Sequence, residues 1–367
     1  MGHRRGRSAA KAYHLDLMKT ILSSSLALAL VSSATFANDS TWASLDQEIA
    51  GLSSSLTAQD AGSGPKIGGW ITATLNQQDG GAAGGADELG FGFWKIRLEA
   101  SGNVTSDYSY KISFDFSDTN PANDGKANLK DAFIKGKLAE SFDLQMGRFK
   151  NPTLRSVLIS DNKLLFVKRT LIGQAFDDRY TGAMLIGKFD MLTANVAAQN
   201  SGSNHTDSFK YTVRGEAHIM GKGAGSVEGA YGAGDTNCLM VGAFYQTDED
   251  VTNGNSWGVE AYMTMGAFAV SGEIVSIEEG FNNGDVALTG DTMPWDVTAS
   301  FLITDSWEAA LRYEDLDEAN NFTQVSGGIS YYVSGHNMKW GLLYITQDAD
   351  DASQAEDEIV FETTIAF

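Results

Sequence analysis

Polar and apolar side chains alternate along several stretches of this chain. From Tyr108 to Phe116, every even position is large and apolar, and every odd position is polar or charged. A period of two returns over 209–219, 295–303 and 307–314. Because successive side chains of a strand point to opposite faces, this pattern predicts β-strands with one apolar and one wet face.

Sixteen such strands can be placed, an even number as in single-chain bacterial barrels. They lie near 66–75, 91–101, 108–116, 128–138, 142–149, 179–187, 189–199, 209–219, 238–246, 256–265, 267–276, 295–303, 307–314, 322–333, 338–346 and 357–367. The weak point is the stretch 221–236, because 226–231 resembles a further strand. We predict no strand there, since it would invert the sorting of connections described next.

If the N-terminus is periplasmic, the connections fall alternately outside and inside. The acidic clusters then lie outside: Asp248–Asp250, Glu278–Glu279, Asp315–Glu318 and Asp348–Asp357. The short links lie inside: 265–266, 304–306 and 334–337. Long outer loops and tight inner turns are the asymmetry of outer-membrane barrels.

Aromatic residues sit near the predicted strand ends: Trp94, Tyr108, Trp257, Trp295, Trp307, Tyr332 and Trp340. Such positions predict the interfacial girdles of a membrane barrel, which a soluble β-sandwich does not need. The last strand keeps its apolar face to the final residue, Phe367, as an outer-membrane assembly signal does. The pattern therefore predicts an all-β, transmembrane antiparallel barrel spanning 66–367.

The N-terminal 37 residues predict a secretory signal peptide, with an extended start before Met18. Met18 and Lys19 precede an apolar run over 21–31 and a small-residue cleavage site ending at Ala37. This run is shorter than the ~20 apolar residues that cross a bilayer as a helix. After cleavage no segment is continuously apolar for that length, which excludes a helical membrane protein.

Residues 38–65 predict a periplasmic helical segment followed by a linker. Its apolar residues are spaced three and four apart, as in a coiled coil: Trp42, Leu45, Ile49, Leu52 and Leu56. Two interpretations remain open, a helix that trimerises and a helix that packs on the rim of its own barrel.

Candidate chemistry for catalysis or metal binding is sparse. The single cysteine, Cys238, cannot form a disulfide framework or a metal cluster within the chain. H-E-x-x-H and C-x-x-C motifs are absent, and His205, His218 and His336 stand isolated. We expect no enzymatic activity, no catalytic residues, no metal, no cofactor and no nucleic-acid partner.

Several stretches between 91 and 170 resemble the phosphate-selective porin O and P family. The resemblance rests on 93–102, 108–116, 129–133, 146–152 and 166–169. It implies a passive, trimeric, 16-stranded porin of the Gram-negative outer membrane whose third loop, here 150–178, folds into the lumen and narrows it. An acidic residue often stands in the family where this chain has Lys168.

Charge divides unevenly along the barrel. Residues 148–179 carry seven basic against three acidic residues, and we take these seven as candidate constriction and anion-binding residues: Arg148, Lys150, Arg155, Lys163, Lys168, Arg169 and Arg179. Residues 247–367 carry two basic against 23 acidic residues. A basic loop facing an acidic wall would set a transverse field across the constriction. Further basic side chains are predicted to face the lumen: Lys95, Arg97, Lys111, Lys135, Lys137, Lys210 and Arg214.

Two interpretations of the basic loop compete. In one, its cations attract anions such as phosphate. In the other, they pair with lumen carboxylates such as Asp131 and Glu99 and hold the loop in place. The alternatives at the level of function are a general or cation-tolerant porin for small hydrophilic solutes and an adhesive barrel with acidic surface loops. The expected partners are the lipid bilayer, lipopolysaccharide, the solutes and two further copies of the chain.

Overall fold

The computed structural model describes residues 65–78, 88–117, 126–201, 207–221, 226–234, 237–250, 254–278, 291–317, 321–350 and 356–367. The predicted signal peptide, the predicted helical segment up to residue 64, and His205 lie outside the described residues. No helix among the described residues is long and apolar enough to cross a membrane.

Sixteen antiparallel strands form a closed barrel within the described residues, as the alternation predicted. Their bounds are β1 (Lys66–Gln78), β2 (Glu88–Asn103), β3 (Tyr108–Asp115), β4 (Asn128–Ala139), β5 (Phe142–Lys150), β6 (Arg179–Lys188), β7 (Leu192–Asn200), β8 (Phe209–Met220), β9 (Asn237–Asp248), β10 (Gly254–Met265), β11 (Phe268–Ile277), β12 (Trp295–Thr304), β13 (Trp307–Asp315), β14 (Thr323–Tyr332), β15 (Met338–Asp348) and β16 (Asp357–Ala366). Each strand pairs with its sequence neighbours, and β1 closes the barrel against β16.

The wet face of each strand points into the barrel, which places the apolar face outside. In β8, Lys210, Thr212 and Arg214 are buried inside, whereas Tyr211 and Val213 are exposed on the outer surface. The same division runs along β12 and β16. Apolar side chains are thus exposed on the outside and charged side chains are buried on the inside. This arrangement is the reverse of that in a soluble protein and fits a barrel surrounded by lipid.

The aromatic residues follow the predicted girdles at some positions and not at others. Trp257, Trp295 and Trp307 are exposed on the outer surface. Trp94 instead faces the lumen, because it is the extra residue of a β-bulge between the pairs Thr72–Lys95 and Ala73–Phe93. Tyr332 also lies inside the barrel, where it is 3% exposed. The girdle assignment was therefore wrong for Trp94 and Tyr332.

The connections sort to two ends as predicted. We call the end that carries the connections after β1, β3 and the other odd-numbered strands the loop end, and the opposite end the turn end. The described parts of all four acidic clusters lie at the loop end. The links 266–267, 305–306 and 333–337 lie at the turn end and contain two to five residues. This arrangement agrees with the predicted sorting of connections, which an extra strand at 226–231 would have inverted.

A long segment enters the lumen from the loop end. This inserted loop, residues 151–178, contains α1 (Arg155–Leu158), a 3-10 turn (Asp161–Lys163) and α2 (Leu171–Ala175). Its apolar residues are buried against the inner wall in two clusters. Leu154, Val157 and Phe176 pack with residues of β9 and β11. Leu165, Phe166 and Val167 pack with residues of β15 and β16.

A second segment enters from the turn end. We call residues 226–234 the inward turn; they form no strand, which agrees with the prediction for 226–231. Val227, Ala230 and Ala233 are buried in a cluster with Cys238, Met240, Tyr262 and Ala269 on the inner wall. The inserted loop and the inward turn therefore cover the same part of the barrel interior, the wall formed by β9–β16.

Candidate functional site

Carboxylates of the acidic wall accept hydrogen bonds from the backbone of the inserted loop. Glu260 accepts from the N–H of Arg155 at 2.5 Å, and Glu314 accepts from that of Leu171 at 2.5 Å. Glu273 accepts from both the N–H and the hydroxyl of Ser156, at 3.0 and 2.6 Å. The first turns of α1 and α2 have N–H groups without helical partners, and these carboxylates satisfy some of them.

The inward turn is held by the same kind of contact. Glu308 accepts from the N–H of Ala230 at 2.7 Å, and the Tyr262 hydroxyl donates to the carbonyl of Gly229 at 2.7 Å. Glu228 of the turn accepts from the N–H of Leu165 at 2.6 Å and pairs with Arg312 at 2.5 Å. The two inserted segments are therefore joined to each other as well as to the wall.

The acidic wall therefore faces the inserted loop rather than open water. This changes the expected electrostatics, because a covered and hydrogen-bonded carboxylate is not one side of a field across the constriction. The arrangement in which a basic loop opposes an acidic wall across the pore is not observed. The open space lies on the other side of the loop.

That space, which we call the passage, lies between the inserted loop and the wall formed by β1–β6. Its volume is about 290 Å³. Five basic and three acidic residues line it: Arg97, Lys111, Lys150, Arg169 and Arg179, with Glu99, Asp131 and Asp161. The remaining lining residues are Trp70, Phe133, Gln145, Phe149, Leu158, Ile159, Ser160 and Met184.

Ion pairs connect the inserted loop to the wall beside the passage. Arg97 lies 3.2 Å from Asp115 on β3 and 3.6 Å from Asp161 on the loop. Arg169 lies 2.5 Å from Asp161 and 3.3 Å from Asp177. Arg97 and Arg169 are almost fully buried, so their charges are fixed in place by carboxylates from two directions.

The lysines of the wall are wetter than these arginines. Lys111 pairs with Glu99 at 2.8 Å, and Lys135 with Asp143 at 3.5 Å, yet their side chains are 32% and 31% exposed. Lys95 pairs with Asp115 at 3.2 Å and is 19% exposed. Exposed ammonium groups on flexible stems can turn toward a passing ion, which a buried guanidinium between two carboxylates cannot.

Two aspartates of the inserted loop remain ionised because of the cations around them. Burial alone would raise the pKa of Asp161, but Arg169, Lys95, Lys150 and Arg97 hold it well below its usual range. For Asp177, Lys150 and Arg169 likewise outweigh burial and lower the pKa. The loop therefore keeps its carboxylates charged, and they continue to hold Arg169 and Lys150.

Three basic residues of the loop that were predicted to line the constriction lie outside the passage. The Lys163 ammonium is 3.4 Å from the Ser226 hydroxyl of the inward turn. Lys168 pairs with Glu358 at 3.1 Å and lies 5.5 Å from the centre of the Trp94 ring. The Arg155 guanidinium stacks 3.7 Å above the Tyr262 ring. These three side chains attach the loop to its surroundings. Lys168 does so through a carboxylate, as the second interpretation expected, whereas Lys163 contacts a hydroxyl and Arg155 an aromatic ring.

The remaining basic residues of the constriction set occupy different positions. Arg179 pairs with Asp131 at 2.9 Å, and Lys150 pairs with Asp177 at 2.6 Å, both beside the passage. Arg148 pairs in register with Thr181 and falls on the outward side of β5 together with Met146. Arg148 thus does not face the passage, because the alternation of β5 directs it away from the lumen.

The other predicted lumen residues do lie on inward positions. Lys210 pairs with Asp248 at 3.2 Å, and Arg214 pairs with Glu260 at 2.5 Å, both deeply buried behind the inserted loop. Lys137 is exposed near the turn end of β4. Of the predicted lumen residues, Lys95, Arg97, Lys111, Lys135 and Lys137 lie on the inner surface of β2–β4.

The apolar part of the passage and the inward turn were not predicted from the sequence. Phe133 could have been found, because it stands between inward Asp131 and Lys135 on β4 and breaks an otherwise polar face. Leu158 and Ile159 had no such signal, since their orientation depends on how the inserted loop packs.

A G-x-S-x-G stretch, Gly254 to Gly258, is present in the sequence and lies within β10. In hydrolases this motif presents its serine on a sharp turn between a strand and a helix. Ser256 here sits in a regular strand opposite Gln246 and Ile277, and it is 1% exposed. The stretch lacks the geometry that makes a serine nucleophilic.

The chain matches one protein family by sequence and resembles several solved porin barrels by structure. A family model described as phosphate-selective porin O and P matches residues 66–366. The chain is similar to an anion-selective porin from Comamonas acidovorans, with 12% identity, a TM-score of 0.59, and coverage of 83% of this chain and 99% of that one. It is also similar to OmpF of Salmonella typhi in complex with daunomycin, with 13% identity, a TM-score of 0.59, and coverage of 83% and 97%.

A loop-deletion mutant of OmpT from Vibrio cholerae gives a similar result, with 12% identity, a TM-score of 0.56, and coverage of 83% and 99%. No curated protein matches the chain. At these identities, the likeness to solved structures concerns the barrel fold alone.

Proposed function

The chain belongs to the phosphate-selective porin O and P family, and from that premise we propose that its passage conducts small anions, such as chloride and phosphate, in preference to cations. The protein is a bacterial outer-membrane porin, and small hydrophilic solutes cross it passively. The proposal concerns the sign of its ion preference.

One observation carries this proposal, the excess of positive charge around the passage. Five basic residues and three acidic residues line it. The carboxylates of the opposite wall, such as Glu260 and Glu273, are covered by the inserted loop and bonded to its backbone. A solute in the passage therefore meets the basic side of the barrel more closely than the acidic side, and charges at a narrow point decide ion preference.

Several of these cations are already paired, which limits the strength of the preference. Arg97, Arg169 and Arg179 each contact a carboxylate at 3.2 Å or less. Their guanidinium groups are thus only partly available to replace the water around a phosphate ion. We therefore propose a moderate preference for anions, set chiefly by the exposed lysines.

Planar-bilayer recordings of the purified protein test the proposal. Under a tenfold gradient of potassium chloride, the reversal potential should take the sign of the chloride equilibrium potential. A reversal potential of the opposite sign would support the cation-tolerant porin instead, and the absence of any channel current would support a structural barrel.

We also propose that the barrel associates as a homotrimer through the outer face of β2–β6. Trp257, Trp295 and Tyr313 supply aromatic side chains near the loop end on the far side of the barrel. On the outer face of β2–β6, the same level carries no tryptophan or tyrosine among the described residues, and it carries Arg148. An arginine facing lipid is destabilising to a degree that depends on depth, so protein rather than lipid is its better neighbour. The far side then faces the bilayer and lipopolysaccharide.

A further inference from the structure

An apolar stripe crosses the lumen wall beside the passage. Phe149, Met184, Ile186 and Ala197 form a buried cluster on inward positions of β5–β7, and Phe133 of β4 packs against it. The interior of a porin is ordinarily polar, because it is filled with water. Because Phe149 and Met184 of this stripe line the passage, an apolar surface beside open space in the lumen needs an explanation.

The inserted loop presents a second apolar surface to the same space. Leu158 and Ile159 line the passage together with Phe133, Phe149 and Met184. Leu158 is 41% exposed, although neighbouring Val157 is fully buried. An apolar side chain left open to water inside a channel is a place where an apolar group can bind.

The basic residues occupy a different side of the passage. Arg97 and Lys111 extend from β2 and β3, and Arg97 also lies 5.4 Å from the centre of the Trp70 ring. The passage therefore has a charged side and an apolar side. A fully hydrated inorganic anion gains nothing from the apolar side, since that side offers no hydrogen bond in place of lost water.

We propose that the passage is a binding site for aromatic monocarboxylates, which cross this channel more selectively than inorganic anions. This inference rests on the proposed anion preference and names the class of anion. The carboxylate lies toward Lys111, whose side chain is 32% exposed, and the ring lies against Phe133 and Leu158. With a volume of about 290 Å³, the passage lies just below the ~300–1,000 Å³ of typical small-molecule sites, which suits a single ring.

Block of chloride current by benzoate tests the inference. Sodium benzoate, sodium acetate and sodium phosphate are added in turn, at equal concentrations, to wild-type channels in potassium chloride. We expect saturable block by benzoate at a lower concentration than by acetate or phosphate. If the channel prefers anions but benzoate blocks no better than acetate, the aromatic site is refuted while the proposed function stands. If the channel prefers cations, the proposed function itself fails.

Substitution of Leu158 locates the site. Leu158→Asn should raise the half-blocking concentration of benzoate about fivefold, the factor expected when ~40 Å² of apolar contact is lost at ~25 cal/mol per Å². Block by acetate should not change. Because Leu158 is partly exposed, the variant should fold normally, and the unheated mobility on gels checks this.

Leu158→Met is the matched control, since it keeps an apolar side chain of similar volume. It should retain the wild-type sensitivity to benzoate. If benzoate blocks the Leu158→Asn channel at the same concentration as the wild-type channel, and still blocks better than acetate, then benzoate binds elsewhere. The assignment of the site to this stripe would then be wrong.

Discussion

Replacing Lys111 and Lys135 with glutamate should turn the ion preference of this channel toward cations. Both side chains point inward from β3 and β4, and both are about one-third exposed. Each substitution changes the local charge by two units, so the double variant changes it by four. Neither residue holds the inserted loop, which makes the change in charge separable from a change in structure.

The size of the effect follows from the distance at which an ion passes. A monovalent ion about 6 Å from one side-chain charge interacts with it by ~0.7 kcal/mol at the dielectric constant of water and by ~2.8 kcal/mol at an effective dielectric constant of 20. Four units of charge therefore give about 3 kcal/mol even at the weaker limit. A factor of ten in permeability ratio corresponds to ~1.4 kcal/mol. We expect the chloride-to-potassium ratio to fall at least tenfold.

Reversal potentials in asymmetric potassium chloride measure this ratio. The shift should shrink when the mean salt concentration rises, because the Debye length falls from ~10 Å at 0.1 M to ~3 Å at 1 M. Conductance at high salt should change little. The dependence on salt separates an effect of charge from a change in the width of the channel.

Lys163→Glu is the matched control. It makes the same chemical change, but Lys163 contacts Ser226 of the inward turn, away from the inner surface of β3 and β4 that carries Lys111 and Lys135. Its reversal potential should stay close to that of the wild type. A double variant that folds normally and keeps the wild-type reversal potential would refute the assignment of selectivity to the wall lysines, as would an equal shift in Lys163→Glu.

Two further predictions concern the inward turn and the assembly. Glu308→Ala should destabilise the turn by about 1–3 kcal/mol, because the Tyr231 N–H and the Tyr332 hydroxyl lose their acceptor, and single-channel conductance should become larger and noisier. Glu308→Gln keeps an acceptor and should resemble the wild type, and unchanged conductance in Glu308→Ala would contradict a role of the turn in narrowing the lumen. Arg148→Glu should weaken association between copies, visible as lost trimer on unheated gels, whereas a stable trimer would place Arg148 away from the contact between copies.

The strands were predictable because a two-residue period indicates both where a strand lies and which of its side chains point into the barrel. In β8, the positions of Lys210 and Tyr211 on opposite faces followed directly from the sequence. Parity then sorted the connections and excluded a strand at 226–231. These features depend only on residues close together along the chain, which is the information that alternation contains.

Features that depend on contacts between distant segments were not predictable in this way. The bulge at Trp94 shifts the alternation of β2 by one residue. The Trp94 side chain, which was expected in the girdle, therefore points into the lumen. Tyr332 points inward and stacks at 3.8 Å on Tyr231, a residue of the inward turn. Nothing near Tyr332 in the sequence indicates that a turn some hundred residues earlier would enter the barrel.

The charges of the inserted loop show why the candidate site was harder to predict than the fold. A loop placed in a lumen must find partners for its backbone N–H groups and its own buried charges. Glu260 and Glu314 supply the first, and Asp161 supplies the second for Arg169. The number of charged residues can be read from the sequence, but not which of them bind backbone N–H groups or pair with another buried charge. The proposed selectivity therefore depends on wall charges that stay in contact with water, such as Lys111 and Lys135, whose side chains are 32% and 31% exposed although each pairs with a carboxylate.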